Sequence, residues 1–228
     1  KVEAMKHTYH KLSLDCLVIL GGNGTHKTAN MLSEEGLNVI TLPKTIDNDL
    51  AVTDHTPGFG SAAKYIASIT KEVIRDGLVY DQENVTLLEI MGRNAGWLTG
   101  AAALAVGEDC EGPDMLFLPE ITFDVEHFMK KVTDLQKEKK SVVVAISEGV
   151  KIADGRYVCE LTDNIDYVDA FGHKQLTGTS RYLAGRISKE MGCKTRAIEF
   201  NSLQRCASHI VGRVDITEAF QVGGAAVK

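Results

Sequence analysis

Six short apolar runs punctuate the chain: LDCLVIL (14–20), LNVITL (37–42), VTLLEI (85–90), DMLFL (114–118), SVVVAI (141–146) and KTRAIEF (194–200). Each has strand length and is nearly continuous rather than alternating, as expected of strands buried on both faces. Between them lie longer stretches whose apolar positions recur at helical spacing: HKTANMLSEEG, GSAAKYIASITKEVIRDG, AGWLTGAAALAVGE, DVEHFMKKVTDLQKEK and TGTSRYLAGRISKEMG. Strands alternating with helices predict an α/β protein, doubly wound, with mostly parallel sheets covered by helices on both faces and two lobes around a cleft. Residues 149–178 are the least regular, with a small hairpin expected around ADGRYVCE (153–160). We therefore expect one lobe over 1–148 and part of a second over 149–228. The chain opens and closes inside helical patterns (the last is DITEAFQVGGAAVK), so it is expected to be part of a longer protein.

In open parallel sheets ligands bind at the carboxyl ends of strands. Four polar loops follow expected strands here: GGNGT (21–25), PKTIDNDL (43–50), MGRNAG (91–96) and SEG (147–149). All four are expected to open onto one crevice.

GGNGTHKT joins a strand to a helix. Glycines at such a turn let backbone N–H groups approach a phosphate, and a helix N-terminus favours negative charge. The stretch is one residue short of a Walker A loop, with His26 in place of the glycine before Lys27 and Thr28. It is not a dinucleotide fingerprint, because Lys27 stands where the third glycine belongs. Gly22, Asn23, Gly24 and Thr25 are thus candidate donor-phosphate ligands, the alternative being a plain tight turn. In TIDND, Asp47 can act as a general base, Asp49 can help hold a divalent ion, and Lys44 can neutralise phosphoryl charge; the alternative is an Asx-rich turn. Asn23 is a weaker candidate metal partner, since a neutral amide serves Mg²⁺ less well than a carboxylate. Arg93 offers a planar fork to phosphate oxygens, Glu148 can accept from sugar hydroxyls, and Arg205, in the segment SLQR, is a further phosphate anchor.

Composition narrows the partners. The 228 residues are 44% hydrophobic, enough for a sizeable core. The net charge of -6 argues against a nucleic-acid surface, so an anionic substrate needs its own local cations. No apolar run reaches membrane-spanning length, and KVEAMKHTYH has no secretory core region. Five cysteines without a CxxC pair suggest neither a disulfide framework nor zinc, and fit a reducing cytoplasm.

GGxGT, PKTIDND, MGRNAGW, PE, SEG and LQR, in this order, resemble the phosphofructokinase A family from about Leu14 to the C-terminus. TIDND and MGRxAGW carry most of that likeness, while TPGFGSAAKYIA and LQR are closer to the long bacterial branch that includes pyrophosphate-dependent enzymes. The resemblance implies phosphoryl transfer to the 1-hydroxyl of fructose 6-phosphate, with Mg²⁺ and as a homo-oligomer. It implies that Asp47 is the base, that Thr45 contacts the transferring group and sugar, and that Asp49 lies near the metal. Met91, Gly92 and Arg93 would line the sugar-phosphate site, with Arg93 also facing the transition state. Glu148 would bind fructose hydroxyls and Arg205 the 6-phosphate.

Three features depart from the family pattern. Asn23 replaces a carboxylate near magnesium, Ser202 replaces a tyrosine common in the long branch, and the family's first strand and glycine loop lie outside this sequence. For the donor, Gly24 leaves room for an α-phosphate where pyrophosphate users typically carry Asp, whereas Lys44 is a residue of pyrophosphate users. Exclusion by a side chain should discriminate more sharply than one added cation, which favours ATP. Two other readings are a diacylglycerol- or NAD-kinase-like enzyme, which would lack TIDND and MGRNAG, and a regulatory subunit that binds sugar phosphate without turnover. Asn23 and Ser202 favour the regulatory reading; intact Asp47 and Arg93 oppose it.

Overall fold

The computed structural model describes residues 1–162 and 176–228. It divides into two compact units, Lys1–Gly60 with Gly212–Lys228, and Ser61–Val211.

In the first unit, helix α1 (Val2–Lys11) precedes strand β1 (Leu17–Gly21), helix α2 (Asn23–Glu34) and strand β2 (Val39–Pro43). The two strands pair in parallel, from Leu17 opposite Val39 to Gly21 opposite Pro43. Their core is small: Tyr9, Leu32 and Leu37 are buried, with Val2, Leu17, Ile19 and Val39 packed against them. The C-terminal helical pattern becomes helix α7 (Arg213–Val227), which returns to this unit and packs near β2.

The second unit holds helix α3 (Phe59–Leu78), most of which lies within it, and strand β3 (Asn84–Ile90). Helix α4 (Trp97–Ala101), strand β4 (Met115–Phe117), helix α5 (Val125–Glu138) and strand β5 (Ser141–Ser147) follow. Helix α6 (Thr179–Met191) and strand β6 (Lys194–Glu199) complete it. Its sheet runs β4-β5-β3-β6, parallel throughout. All seven residues of β3 and all seven of β5 are buried, which is why their sequences are continuous apolar runs. Val85, Leu87, Val142, Val144 and Ile146 pack with Phe128 and Val132 of α5 and Leu183 and Ile187 of α6. Leu88, Ile90 and Ala145, at the alternate positions, are equally buried.

All six expected strands form, within a few residues of the expected ends. The hairpin around 153–160 is a bridge between Lys151 and Tyr157 closed by a turn at Gly155. The stretch 95–108 is less helical than its pattern suggests: α4 gives way to a 3₁₀ turn over Ala102–Ala105, and Gly107 and Cys110 close a tight turn. The division expected at 148/149 falls elsewhere. A cut there would separate β3 and β5 from β6, which share one sheet, and would split a core that runs from Val85 to Cys193. Packing separates the chain after Gly60 and before Gly212 instead.

Candidate active site

In the first unit, parallel pairing of β1 and β2 brings GGNGT and TIDND side by side. Gly21 and Pro43 are register partners, and the Lys44 N–H donates to the Gly21 carbonyl at 3.0 Å. Gly22 lies so close to the second loop that an added Cβ would stand 3.3 Å from the Thr45 Cβ. Helix α2 starts at Asn23 with Gly22 as its N-cap, and no side chain caps it. The N–H groups of Asn23, Gly24 and Thr25 therefore lie in the first turn, where no earlier helical carbonyl can bond them. No acidic residue occupies that turn. The open N–H groups and the positive end of the helix dipole make this an anion-favouring end. Lys44 and Asn23 are exposed; Thr45, Asp47 and Asp49 are half-buried.

The TIDND loop is shaped by its own hydrogen bonds. The Asp47 N–H donates to Thr45 Oγ1 at 3.2 Å. Asn48 adopts a left-handed backbone, φ 54°, a conformation that asparagine tolerates better than most residues. Its Oδ1 accepts from the Thr56 N–H at 2.9 Å, and Thr56 Oγ1 donates to the Thr45 carbonyl at 2.7 Å. Gly58 N–H donates to Asp215 Oδ1 of α7 at 2.9 Å, and His55 Nε2 lies 2.6 Å from Glu218 Oε2 on the same helix.

In the second unit, β3 and β5 are paired so that Ile90 faces Ser147, which places MGRNAG beside SEG. The Glu148 N–H donates to the Ile90 carbonyl at 2.9 Å, and Ser147 Oγ donates to the Gly92 carbonyl at 2.6 Å. A Cβ on Gly149 would overlap the Arg93 carbonyl, so glycine is what allows the two loops to approach. The Gly92 N–H points to Glu148 Oε1 at 3.5 Å, a long contact, and Gly92 itself has φ 140°. From the end of β6, a 3₁₀ turn (Asn201–Arg205) brings in LQR. Gln204, 2% exposed, accepts the Met91 N–H at 3.3 Å and donates to the Asn201 carbonyl at 3.0 Å. Arg205 is exposed and Arg93 half-buried.

The expected residues thus assemble in two groups. Gly22, Asn23, Gly24, Thr25, Lys44, Thr45, Asp47 and Asp49 share the first unit's strand ends; Met91, Gly92, Arg93, Glu148 and Arg205 share the second's. Residues given no role from the sequence hold these loops: Thr56, Ser147, Gln204 and Glu89. Gln204 and Ser147 stood inside quoted motifs, but nothing in a sequence distinguishes a polar side chain that braces a loop from one that meets a ligand. Glu89, 4% exposed, accepts from the Gly178 N–H, the Ser180 N–H (2.8 Å) and Ser180 Oγ (2.7 Å), fixing the start of α6. Burial raises its pKa, an effect that the bonds from Ser180 oppose. Glu120 of the PE pair accepts the Gly96 N–H at 2.7 Å and anchors the start of α4.

Among the described residues no three His, Cys, Asp or Glu side chains converge as a protein-only metal cage. Mg²⁺ in phosphoryl-transfer sites commonly uses only one or two carboxylates plus substrate phosphates and water. A carboxylate of the TIDND loop suits that mode.

Comparison with known proteins accords with this geometry. The phosphofructokinase family model matches residues 1–228. A pyrophosphate–fructose 6-phosphate 1-phosphotransferase of Halomonas elongata is 40% identical over 194 residues, covering 84% of this chain and 45% of the relative. An ATP-dependent 6-phosphofructokinase of Spirochaeta thermophila is 45% identical over 150 residues, covering 65% of this chain and 39% of the relative. The crystal structure of a pyrophosphate-dependent phosphofructokinase from Nitrosospira multiformis superposes with a TM-score of 0.80 at 31% identity, over 99% of this chain and 54% of that one. The chain spans about half the length of the curated relatives it matches. With a family match from end to end and the two loop pairs in place, this chain belongs to the phosphofructokinase family.

Proposed function

We propose that the chain is the catalytic segment of a 6-phosphofructokinase that moves a phosphoryl group from ATP to the 1-hydroxyl of fructose 6-phosphate, giving fructose 1,6-bisphosphate. The observation that carries this reading is the adjacency of the open N-terminal turn of α2 and the TIDND loop, fixed by the Lys44 N–H to Gly21 carbonyl bond. A phosphate held by the first turn of α2 lies next to the carboxylates that act on the acceptor.

Asp47 accepts the proton of the attacking hydroxyl. An ionised Asp is a weak base in water, but a loose phosphoryl-transfer transition state needs that proton removed only late. Thr45 and Lys44 contact the transferring group, and Lys44 offsets its charge. Gly22, Asn23, Gly24 and Thr25 supply backbone donors to the donor phosphates. Arg93 clamps phosphate oxygens, Glu148 accepts from sugar hydroxyls, Met91 and Gly92 shape the sugar pocket, and Arg205 pairs with the 6-phosphate. Positioning and charge neutralisation carry most of the rate gain. Asp49, with Asn23 as a weaker second partner, would hold Mg²⁺, which supplies charge neutralisation on the phosphates when bound. Cytoplasmic location and a homo-oligomeric state go with this reading; among the described residues no helix is long and apolar enough to cross a membrane.

Gly24 argues for ATP, since it has no side chain to repel an α-phosphate. Pyrophosphate is the second reading, favoured by Lys44 and by the activity printed for relatives such as the Halomonas enzyme. The test is kcat/KM of the full-length protein with each donor, in wild type and in Gly24→Asp. We expect wild type to use ATP and the variant to lose ATP use steeply. A wild type that ignores ATP and turns over pyrophosphate overturns the donor assignment and leaves the acceptor chemistry standing.

A further inference from the structure

Thr56 lies outside TIDND, eight to eleven residues downstream of the groups it touches, and neither the motif nor the family match gives it a role. It is fully buried, with 0% of its surface exposed. Two of its hydrogen bonds go to the two ends of one tetrapeptide, Thr45-Ile46-Asp47-Asn48. The hydroxyl donates to the Thr45 carbonyl at 2.7 Å, and the backbone N–H donates to Asn48 Oδ1 at 2.9 Å. Asp47 lies between those anchors, next to Ile46. The anchors matter because the local backbone is not held by a regular element. The strand ends at Pro43, only an isolated bridge joins Thr45 to Gly58, and Asn48 takes a left-handed conformation.

We infer that Thr56 is a positioning residue for the phosphoryl transfer: its hydroxyl and N–H pin the Thr45–Asn48 turn and so set where the Asp47 carboxylate meets the acceptor hydroxyl. This rests on the reading of Asp47 as the base. Thr56 does not touch substrate in this scheme, and the sugar-phosphate anchors Glu148 and Arg205 stand on other loops. Its loss should therefore act on the chemical step and spare acceptor binding. Misplacing a catalytic group by about 1 Å costs on the order of 10²-fold in rate, which bounds the expected effect.

Thr56→Val keeps the shape and the N–H but deletes the hydroxyl donor; Thr56→Ser restores it. In full-length protein, measured with saturating donor, we expect Thr56→Val to lower kcat by about 10-fold to 100-fold with KM for fructose 6-phosphate within about 2-fold of wild type. Thr56→Ser should recover kcat to within about 3-fold. Asp47→Ser, run alongside, separates the two ideas. If Asp47→Ser retains wild-type kcat, the base assignment fails and the inference with it. If Asp47→Ser is inactive while folded Thr56→Val keeps wild-type kcat, only the role of Thr56 is overturned. A Thr56→Ser protein as impaired as Thr56→Val overturns it too, since the hydroxyl would then not be the operative group. Should Thr56→Val fail to fold, Asn48→Gly removes the other anchor while tolerating the left-handed backbone. It must show the same fall in kcat at unchanged KM, and an unchanged kcat there counts against the inference.

Discussion

The two loop groups are built on the same plan and held by different means. Each consists of loops leaving adjacent parallel strands, β1 with β2 in the first unit and β3 with β5 in the second. In the second unit the strands are buried along their whole length, and the loops are locked by Ser147, by Gln204 and by the close approach at Gly149. In the first unit the sheet has two strands and the cluster packed on it is small, and the TIDND loop is held by hydrogen bonds from Thr56, while Gly58 nearby donates to Asp215 of α7. The second unit's loops are thus preorganised largely by core packing. The TIDND loop, which carries the proposed base, is placed by a few polar contacts instead, each of which can be removed singly.

That contrast predicts which kinetic constant each group controls. The largest effect belongs to the first unit. Asp47→Ser in the full-length enzyme should lower kcat by about 10²-fold or more with a smaller change in KM for fructose 6-phosphate. Steady-state kinetics check this, and an unchanged kcat would remove the first unit from the chemical step.

The second unit should show the converse. If Arg205 anchors the 6-phosphate as proposed, Arg205→Ala removes a charge-assisted contact and should cost about 2 kcal/mol, or roughly 30-fold in KM, with kcat less affected. Equilibrium binding of fructose 6-phosphate gives an independent measure. A wild-type dissociation constant in the variant would mean that the 3₁₀ turn does not anchor the phosphate.

The smallest effect probes the rigidity of the second unit through Glu89. Its folded pKa is raised above the ordinary 4.5, chiefly by burial. The native state then binds a proton that the unfolded state has already lost, so stability declines as pH rises from about 4.5 through the raised value and is level above it. Glu89→Gln should flatten this part of the Tm-versus-pH curve. Thermal melts of both proteins across that range provide the check; parallel curves would show that Glu89 contributes no pH dependence.

Much of this was legible in the residues. Continuous apolar runs gave the strands because residues buried on both faces of a parallel sheet leave no polar alternation. The loop motifs were readable as a family pattern, and the structure sets each at a strand's carboxyl end. The bracing residues were not. Thr56 and Gln204 look like ordinary loop polar groups, and only their burial and partners reveal them as anchors.

The sequence by itself determined which segments become strands, which polar loops follow them, and the family those loops belong to. Periodicity and local residue chemistry act over a few neighbours, and those are written directly in the chain. Tertiary structure alone decided that 1–60 packs with 212–228, that β3, β5 and β6 share one sheet across the expected boundary, and that Thr56 reaches back to Thr45 and Asn48. Such pairings join residues far apart in the chain, and they are selected by which surfaces can be buried together and which polar groups then find partners.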